Sequence, residues 1–296
     1  MWMMISGFSF FYIMMGYMRR FSQPFRTDGA KHQQKIGTPT MGGVLIILPV
    51  LLKCISFITH PVWFVLCSFG LLGLADDWLK VKYTSSSGIS AKIKFISQIV
   101  LSMLALVLCD LDTHLTYNNI SYDLGILYYV FAVFIIVASS NAMNLTDGID
   151  GLATSQMIIM LLFLGVYAQA IGNESIVLFT LALLSMAAVF LCFNWHPASI
   201  FMGDVGSLSI GAVIGLMAVI LKLEIWYALA SVVLIGEVVS VIIQVGGFKI
   251  GYGRLFRMAP YHHHLELKGW SELEIVFSGM CVTTVMGLIA AWLLWI

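Results

Sequence analysis

Apolar runs of about 20 residues, the length that carries a helix across a slab roughly 30 Å thick, recur along the whole chain. They fall at about 1–18, 41–59, 62–79, 92–110, 125–143, 153–171, 175–193, 205–222, 224–245 and 275–296, separated by short polar or Gly/Pro-containing segments. No stretch of mixed composition is long enough to build a core of its own. The pattern predicts an all-α polytopic membrane protein of about ten transmembrane helices, with residues 1–296 forming a single integral-membrane domain. It shows neither an internal repeat nor a low-complexity tract.

Composition sharpens this picture. Only 10% of the residues are charged, 60% are hydrophobic and the mean hydropathy is +0.97. A soluble domain carries about 25% charged residues. The 15 basic and 15 acidic residues cancel, so nothing in the charge favours a nucleic-acid partner. Cys54, Cys67, Cys109, Cys192 and Cys281 lie in or at the ends of apolar runs without metal-ligand spacing and read as packing residues.

Charge also orients the bundle, because Lys and Arg concentrate in cytoplasmic loops. Loops 19–40, 80–94, 144–152, 194–204 and 246–274 hold Arg19, Arg20, Arg26, Lys31, Lys35, Lys80, Lys82, Lys92, Lys94, Lys249, Arg254, Arg257 and Lys268, which leaves Lys53 and Lys222. The intervening loops carry Asp110, Asp112, Asp123 and Glu174. Both termini are therefore expected to be periplasmic. The first run reads as a retained anchor, since Arg19 and Arg20 follow it. Trp63, Trp226, Trp292 and Trp295 are expected in an outer aromatic belt.

The candidate chemistry sits at the cytoplasmic helix ends, where a charge is costly without a partner or a task. Asp76 and Asp77 close the third run, Asp147 and Asp150 follow the fifth, and Asp204 precedes the eighth. Three distant parts of the chain thus bring carboxylates to one cytoplasmic cleft. Hard divalent cations such as Mg²⁺ take oxygen ligands, commonly one or two carboxylates completed by water and phosphate. With Lys35, Lys80, Lys92 and a histidine run nearby, the set matches a site for a metal–diphosphate complex. An i,i+4 ion pair between Asp76 and Lys80 is the plainer alternative.

Three further segments add to this. His262-His263-His264 precedes the last run; three contiguous imidazoles cannot all point one way, so one or two can donate to phosphate while another packs. Zinc is a weaker reading, as the cytoplasmic loops hold no cysteine. Gly37-Thr38-Pro39-Thr40-Met41-Gly42-Gly43 allows close backbone approach, either to present N–H groups to an anionic or polar ligand or simply for packing. Asn194 and Gln244 are polar groups able to read a base or sugar, or else satisfied structural amides.

In order, Gly37–Gly43, Ala75–Lys80, Asn141–Ala153, Phe193–Leu208 and Ala259–Trp270 resemble the polyprenyl-phosphate N-acetylhexosamine-1-phosphate transferases. The triple histidine followed by Glu266 and Gly269-Trp270 resembles the phospho-N-acetylmuramoyl-pentapeptide-transferase branch. The resemblance implies ten helices in the bacterial inner membrane and an active-site cleft on the cytoplasmic side. It implies transfer of phospho-MurNAc-pentapeptide from UDP-MurNAc-pentapeptide to undecaprenyl phosphate, giving lipid I and UMP with Mg²⁺. Membrane lipids are natural partners and a second copy of the chain a possible one. Carried over by motif, Asp76, Asp77, Asp204 and His263 are catalytic, with Asp204 and Asp77 as metal ligands. Lys35, Thr40, Lys80, Lys92, Asn144, Asp147, Asp150, Asn194, Phe201, Gln244 and His264 bind substrate.

The lipid phosphate is expected to attack the sugar-linked phosphorus, with Asp76 or Asp77 either orienting it or forming a phospho-enzyme. Rival classes fit less well. Prenyl-diphosphate-using membrane transferases space their carboxylates three or four apart in both loops, whereas Asp76-Asp77 is followed by Lys80. An intramembrane aspartyl protease needs a mid-span aspartate. A transporter should show repeated halves and midplane charge, yet only Lys53 and Glu237 lie well inside runs, Glu237 reading as a structural carboxylate paired by a helix neighbour.

Overall fold

Helices occupy every one of the apolar runs. The structure is a computed structural model and describes residues 2–18, 37–56, 59–84, 88–117 and 120–294. In order these are α1 (Trp2–Met18), α2 (Gly43–Cys54), α3 (His60–Lys82), α4 (Ala91–Val107), β1 (His114–Tyr117), β2 (Ile120–Asp123), α5 (Ile126–Thr146), α6 (Leu152–Ala170), α7 (Glu174–Asn194), α8 (Gly203–Ile220), α9 (Glu224–Ala230), α10 (Val232–Lys249), α11 (Tyr261–Leu267) and α12 (Glu272–Leu294). Seven, namely α3, α5, α6, α7, α8, α10 and α12, are long and apolar enough to cross a membrane, while α2 and the described part of α1 are shorter apolar helices. The chain is a mostly helical, polytopic membrane protein. Lys35, the basic residues Arg19, Arg20, Arg26 and Lys31, and Trp295 lie outside the described residues.

Local chemistry sets the boundaries. Pro61 sits in the first turn of α3, where a missing N–H costs nothing. Ser90 caps α4 by accepting the Ile93 N–H at 3.4 Å. Ser271 and Glu274 form a reciprocal box at the start of α12: Ser271 Oγ accepts from Glu274 N at 3.3 Å and Glu274 Oε2 accepts from Ser271 N at 2.7 Å. The ninth run is broken in two, α9 ending before Ser231, whose hydroxyl turns back to the Tyr227 carbonyl and competes with the helix ladder. Trp226 is buried on α9 rather than set in a belt, whereas Trp292 is exposed.

The helices are inside-out relative to those of a soluble protein. On α4 the exposed side chains beyond Lys92 are apolar, Ile93, Phe95, Ile96, Val100, Met103, Leu104 and Val107 among them, and the buried face carries Gln98 and Ser102. Such a surface suits lipid. At the centre stands α8, with 89% of its span buried, packed against α3 and α5. Small residues bring the backbones together: a Cβ on Gly73 of α3 would lie 2.3 Å from the Asp204 carbonyl oxygen. Gly73→Ala is therefore expected to cost about 1–3 kcal/mol, read as a lowered thermal midpoint in detergent. Gly246→Ala, where a Cβ meets nothing within 4 Å, is the matched control and should leave the midpoint unchanged or slightly raised, since Ala favours the helix over Gly. The β1–β2 hairpin, pairing His114 with Asp123 and Tyr117 with Ile120, joins α4 to α5 at the end of the bundle away from Asp204.

Candidate active site

Four helix ends converge on the opposite end of the bundle. The last turns of α3 supply Asp76, Asp77 and Lys80, the first turn of α4 supplies Lys94, the last turn of α5 supplies Asn144, and α8 begins with Gly203-Asp204. Asp76, Asp77 and Asp204 each place a carboxylate oxygen within 4.8 Å of the others. Lys80 Nζ is 2.6 Å from Asp76 Oδ2, 3.2 Å from Asp204 Oδ1 and 3.9 Å from Asp77 Oδ1. Lys94 Nζ is 3.1 Å from Asp76 Oδ1 and 2.7 Å from Asp204 Oδ2. The i,i+4 pair between Asp76 and Lys80 exists, but as one edge of a network of five charges.

Backbone geometry fixes the carboxylates. Asp76, wholly buried, accepts the Ile89 N–H at 2.7 Å, and Asp77 accepts the Val205 N–H at 3.0 Å. Asp204 also accepts from Asn144 Nδ2 at 3.0 Å, and Asn144 reaches Ser207 Oγ at 2.9 Å. Its place in the first turn of α8 sets a negative charge against the positive end of the helix dipole. Of the three, Asp204 is the most open, its side chain 14% exposed against 0% for Asp76 and 2% for Asp77. Gly203, at φ +73°, leaves room here: a Cβ would lie 2.6 Å from Asp77 Oδ2 and 3.0 Å from Thr40 Oγ1. The donors are all carboxylate oxygens reachable from one point, so Asp204 and Asp77 fit a hard divalent ion.

Asp147 follows α5 directly, partly buried. Burial, and then the charges of Asp204 and Asp77, push its carboxyl up to about 7, with a backbone hydrogen bond from Gly203 acting against them. A raised folded-state value means that the native state holds its proton where the unfolded chain has lost it, so this contribution to stability fades as pH rises from about 4 through about 7. Asp147→Asn is expected to raise the metal-free thermal midpoint at about pH 8 and to leave it unchanged near pH 4. An equal shift at both would remove the electrostatic cause.

The histidine triplet forms α11 and its three rings diverge. His262, fully buried, donates its backbone N–H to Glu237 Oε2 at 3.2 Å and sets Nδ1 3.1 Å from the same oxygen; the partner of Glu237 is thus 25 residues along the chain, not a neighbour on its own helix. A Cβ on Gly148 would strike the His262 ring at 2.2 Å, so α11 lies directly against the Asp147-Gly148 turn. His263 Nδ1 is 2.6 Å from Glu266 Oε2. His264 accepts the Arg257 N–H on Nδ1 at 3.0 Å; burial first, then Lys268 and Arg257, hold it below its ordinary pKa, and the neutral ring carries its proton on Nε2.

Other expected site residues take structural positions. Lys92 is exposed; the ammonium groups that meet the carboxylates are those of Lys80 and of Lys94, a residue for which the sequence reading expected no role in the site. Gly42 and Gly43 donate their N–H groups to the carbonyls of Phe201 and Met202, both at 2.9 Å, and Phe201 donates to Pro39 O at 2.8 Å. That segment is a brace for the start of α8 rather than an anion cradle, with Thr40 buried at the cluster's edge. Asn194 accepts from Gly151 N at 3.2 Å and Thr154 Oγ1 at 2.8 Å and donates to Ile200 O at 3.0 Å. Gln244 donates to Phe256 O at 2.9 Å and accepts from the N–H groups of Leu255 and Phe256 at 3.2 and 3.0 Å. Both amides tie loops together. Asp150 turns to Ala198 N, 2.9 Å away, and to His196.

A bundle of apolar helices that gathers three carboxylates and two ammonium groups at one end suits transfer of a phosphate-bearing group, and the comparisons agree. A glycosyl transferase family 4 profile matches residues 59–222, more than half of the chain and the part that carries the whole charge network. A phospho-N-acetylmuramoyl-pentapeptide-transferase signature matches residues 35–47. Relatives of that name are 36% identical over 291 residues in Staphylococcus carnosus (93% of this chain, 91% of the relative) and 39% over 307 in the Wolbachia of Brugia malayi (95% and 94%). A third, from Rickettsia prowazekii, is 38% identical over 303 residues (92% and 84%). The chain belongs to the phospho-N-acetylmuramoyl-pentapeptide-transferase family.

Proposed function

We propose that the chain moves phospho-MurNAc-pentapeptide from UDP-MurNAc-pentapeptide to undecaprenyl phosphate, releasing UMP and forming lipid I. It acts as one integral-membrane domain of the bacterial inner membrane, with about ten helices crossing, both termini periplasmic and the carboxylate cluster facing the cytoplasm, an orientation supported by the distribution of Lys and Arg. The observation that carries the chemistry is the meeting of Asp76, Asp77 and Asp204 within 4.8 Å, bridged by Lys80 and Lys94.

A phosphate oxygen of the lipid forms a bond to the sugar-linked phosphorus, the bond from that phosphorus to the bridging oxygen breaks, and the electron pair leaves with UMP. Two anions must approach each other, and Lys80 and Lys94 offset charge on the attacking and leaving oxygens. Mg²⁺ held by Asp204 and Asp77 would neutralise the diphosphate when bound. Asp76 and Asp77 are deeply buried and already hydrogen-bonded to backbone, which supports direct displacement over an aspartyl phosphate. His263, held by Glu266, is the further group we assign to the phosphates.

The test is UMP release in detergent with undecaprenyl phosphate and Mg²⁺, offering UDP-MurNAc-pentapeptide or UDP-N-acetylglucosamine. Release from the muramoyl substrate alone, and only with the lipid present, is expected. Release from the acetylglucosamine substrate alone would reassign the substrate, and UMP formed without lipid would favour the covalent route.

A further inference from the structure

One turn below the charge network, two amides that the proposed chemistry does not use meet between α4 and α5. Gln98 of α4, wholly buried, accepts the Asn141 Nδ2–H of α5 on Oε1 at 2.7 Å. Asn141 Nδ2 also donates to the Val137 carbonyl one turn back on its own helix, at 2.8 Å. That second bond fixes which end of the Asn141 amide faces α4, so Gln98 must present its oxygen. Gln98 Nε2 is then buried with no partner among the described residues. A stranded donor among apolar helices carries a desolvation penalty that a Met or Leu of similar size would avoid. The amide gives up stability for the sake of its oxygen.

Placement tells what the pair holds. Lys94 lies one turn before Gln98 on the same face of α4, and Asn144 one turn after Asn141 on α5. Both reach Asp204: Lys94 Nζ is 2.7 Å from Oδ2 and Asn144 Nδ2 is 3.0 Å from Oδ1. The contacts close a ring, from Gln98 along α4 to Lys94, across Asp204 to Asn144, and along α5 back to Asn141. Asn144 is placed by backbone, because α5 is pressed against α8: a Cβ on Gly211 would lie 2.7 Å from the Ser139 carbonyl oxygen, and one on Gly215 3.1 Å from that of Ile135. By contrast, α4 turns Ile96, Val100, Met103 and Leu104 outward and buries Gln98, Ser102, Ala105 and Leu106. In so lipid-facing a helix apolar packing sets rotation and height loosely, whereas a directional bond sets both.

We propose that Gln98 is a positioning residue for the transfer reaction: its bond to Asn141 fixes the rotation and height of α4 and so keeps Lys94 Nζ between Asp204 and Asp76. Its effect on rate rests on the function proposed above; its effect on the placement of Lys94 does not. Gln98 acts through Lys94 and touches no reacting atom. A charge misplaced by about 1 Å at a reacting centre can cost about 10²-fold in rate.

The experiment compares the native chain with Gln98→Met, which keeps the length and volume of the side chain, removes the acceptor and leaves Asn141 its bond to Val137. The full-length protein in detergent is treated briefly with an amine-acetylating reagent, modification of Lys80, Lys92 and Lys94 is read by mass spectrometry, and UMP release is assayed in parallel. Lys94 is expected to acetylate several-fold faster in the variant, with Lys80 and the exposed Lys92 unchanged. The kcat should fall about 10-fold with KM for the UDP-sugar unchanged, and Gln98→Met should cost nothing further in a Lys94→Met background. Equal acceleration at Lys80 and Lys94 would mean general loosening, and no acceleration would make the amide plain packing; either overturns the proposal. So does a loss of kcat as large in the Lys94→Met background as in the native one. A native chain that releases no UMP, with Lys94 still freed in the variant, would sink the reading of function and leave this placement standing. Should Gln98→Met fail to fold, Asn141→Ser is read in the same way, since its hydroxyl can bond the Val137 carbonyl while falling short of Gln98.

Discussion

Lys94→Met is expected to lower the rate of UMP release by about 10²–10³-fold, the usual effect of deleting one preorganised charge at a site where anionic charge develops. Lys92→Met, two residues away, should leave the rate within about twofold, as for an exposed side chain. The contrast rests on geometry. Lys94 Nζ lies 2.7 Å from Asp204 and 3.1 Å from the buried Asp76, whereas Lys92 is exposed. Asp76 keeps Lys80 at 2.6 Å and the Ile89 N–H at 2.7 Å in the variant, so the fold should survive and the loss should appear in kcat. Equal losses from both substitutions would mean that the two ammonium groups act only through the general field of the site.

The choice between these lysines shows what the sequence discloses and what it leaves hidden. Charge at helix ends marks the cluster, because a carboxylate in an apolar run is too costly to be incidental; Asp76, Asp77, Asp147 and Asp204 are legible in this way. Position around a helix is not read from charge. The usable signal on α4 is its inverted pattern: Gln98 and Ser102 stand one and two turns beyond Lys94 and are buried, while Ile93, Phe95 and Ile96 face outward. Lys94 belongs to that inner stripe and Lys92 does not. The stripe is short, so it emerges only once the face has been identified.

The amides and glycines were ambiguous for another reason. Asn194 and Gln244 can read a ligand or close a loop, and the outcome depends on which carbonyls and N–H groups arrive from distant segments, such as Ile200 beside Asn194 and Phe256 beside Gln244. Gly42 and Gly43 allow a close approach without naming what approaches; here it is Phe201 and Met202. The break between α9 and α10 lies inside one uninterrupted apolar run, where hydropathy carries no mark of it. Pairing across the fold, as between Glu237 and His262, likewise has no periodicity to betray it, whereas His263 and Glu266 are a local i,i+3 pair on α11.

Asp204→Asn should cost the most of any single change, at least about 10³-fold in kcat, with KM for the UDP-sugar unchanged or lower. The substitution keeps the shape of the side chain and removes one charge from a site where Asp204 sits 3.2 Å from Lys80 and 2.7 Å from Lys94. Freed of that counter-charge, the two ammonium groups bind an incoming diphosphate at least as well as before. What is lost is the most exposed carboxylate of the three, the one best placed to hold a divalent ion against the reacting phosphates. Binding kept with chemistry lost is the signature of an interaction made in the transition state. Asp76→Asn should behave differently: it leaves Lys80 and Lys94 short of a partner in a wholly buried position, and breaking such a pair costs about 3–5 kcal/mol of stability. A raised KM with undiminished kcat in Asp204→Asn would make it a substrate-binding group, and the metal would then have to be sought at Asp77 without it.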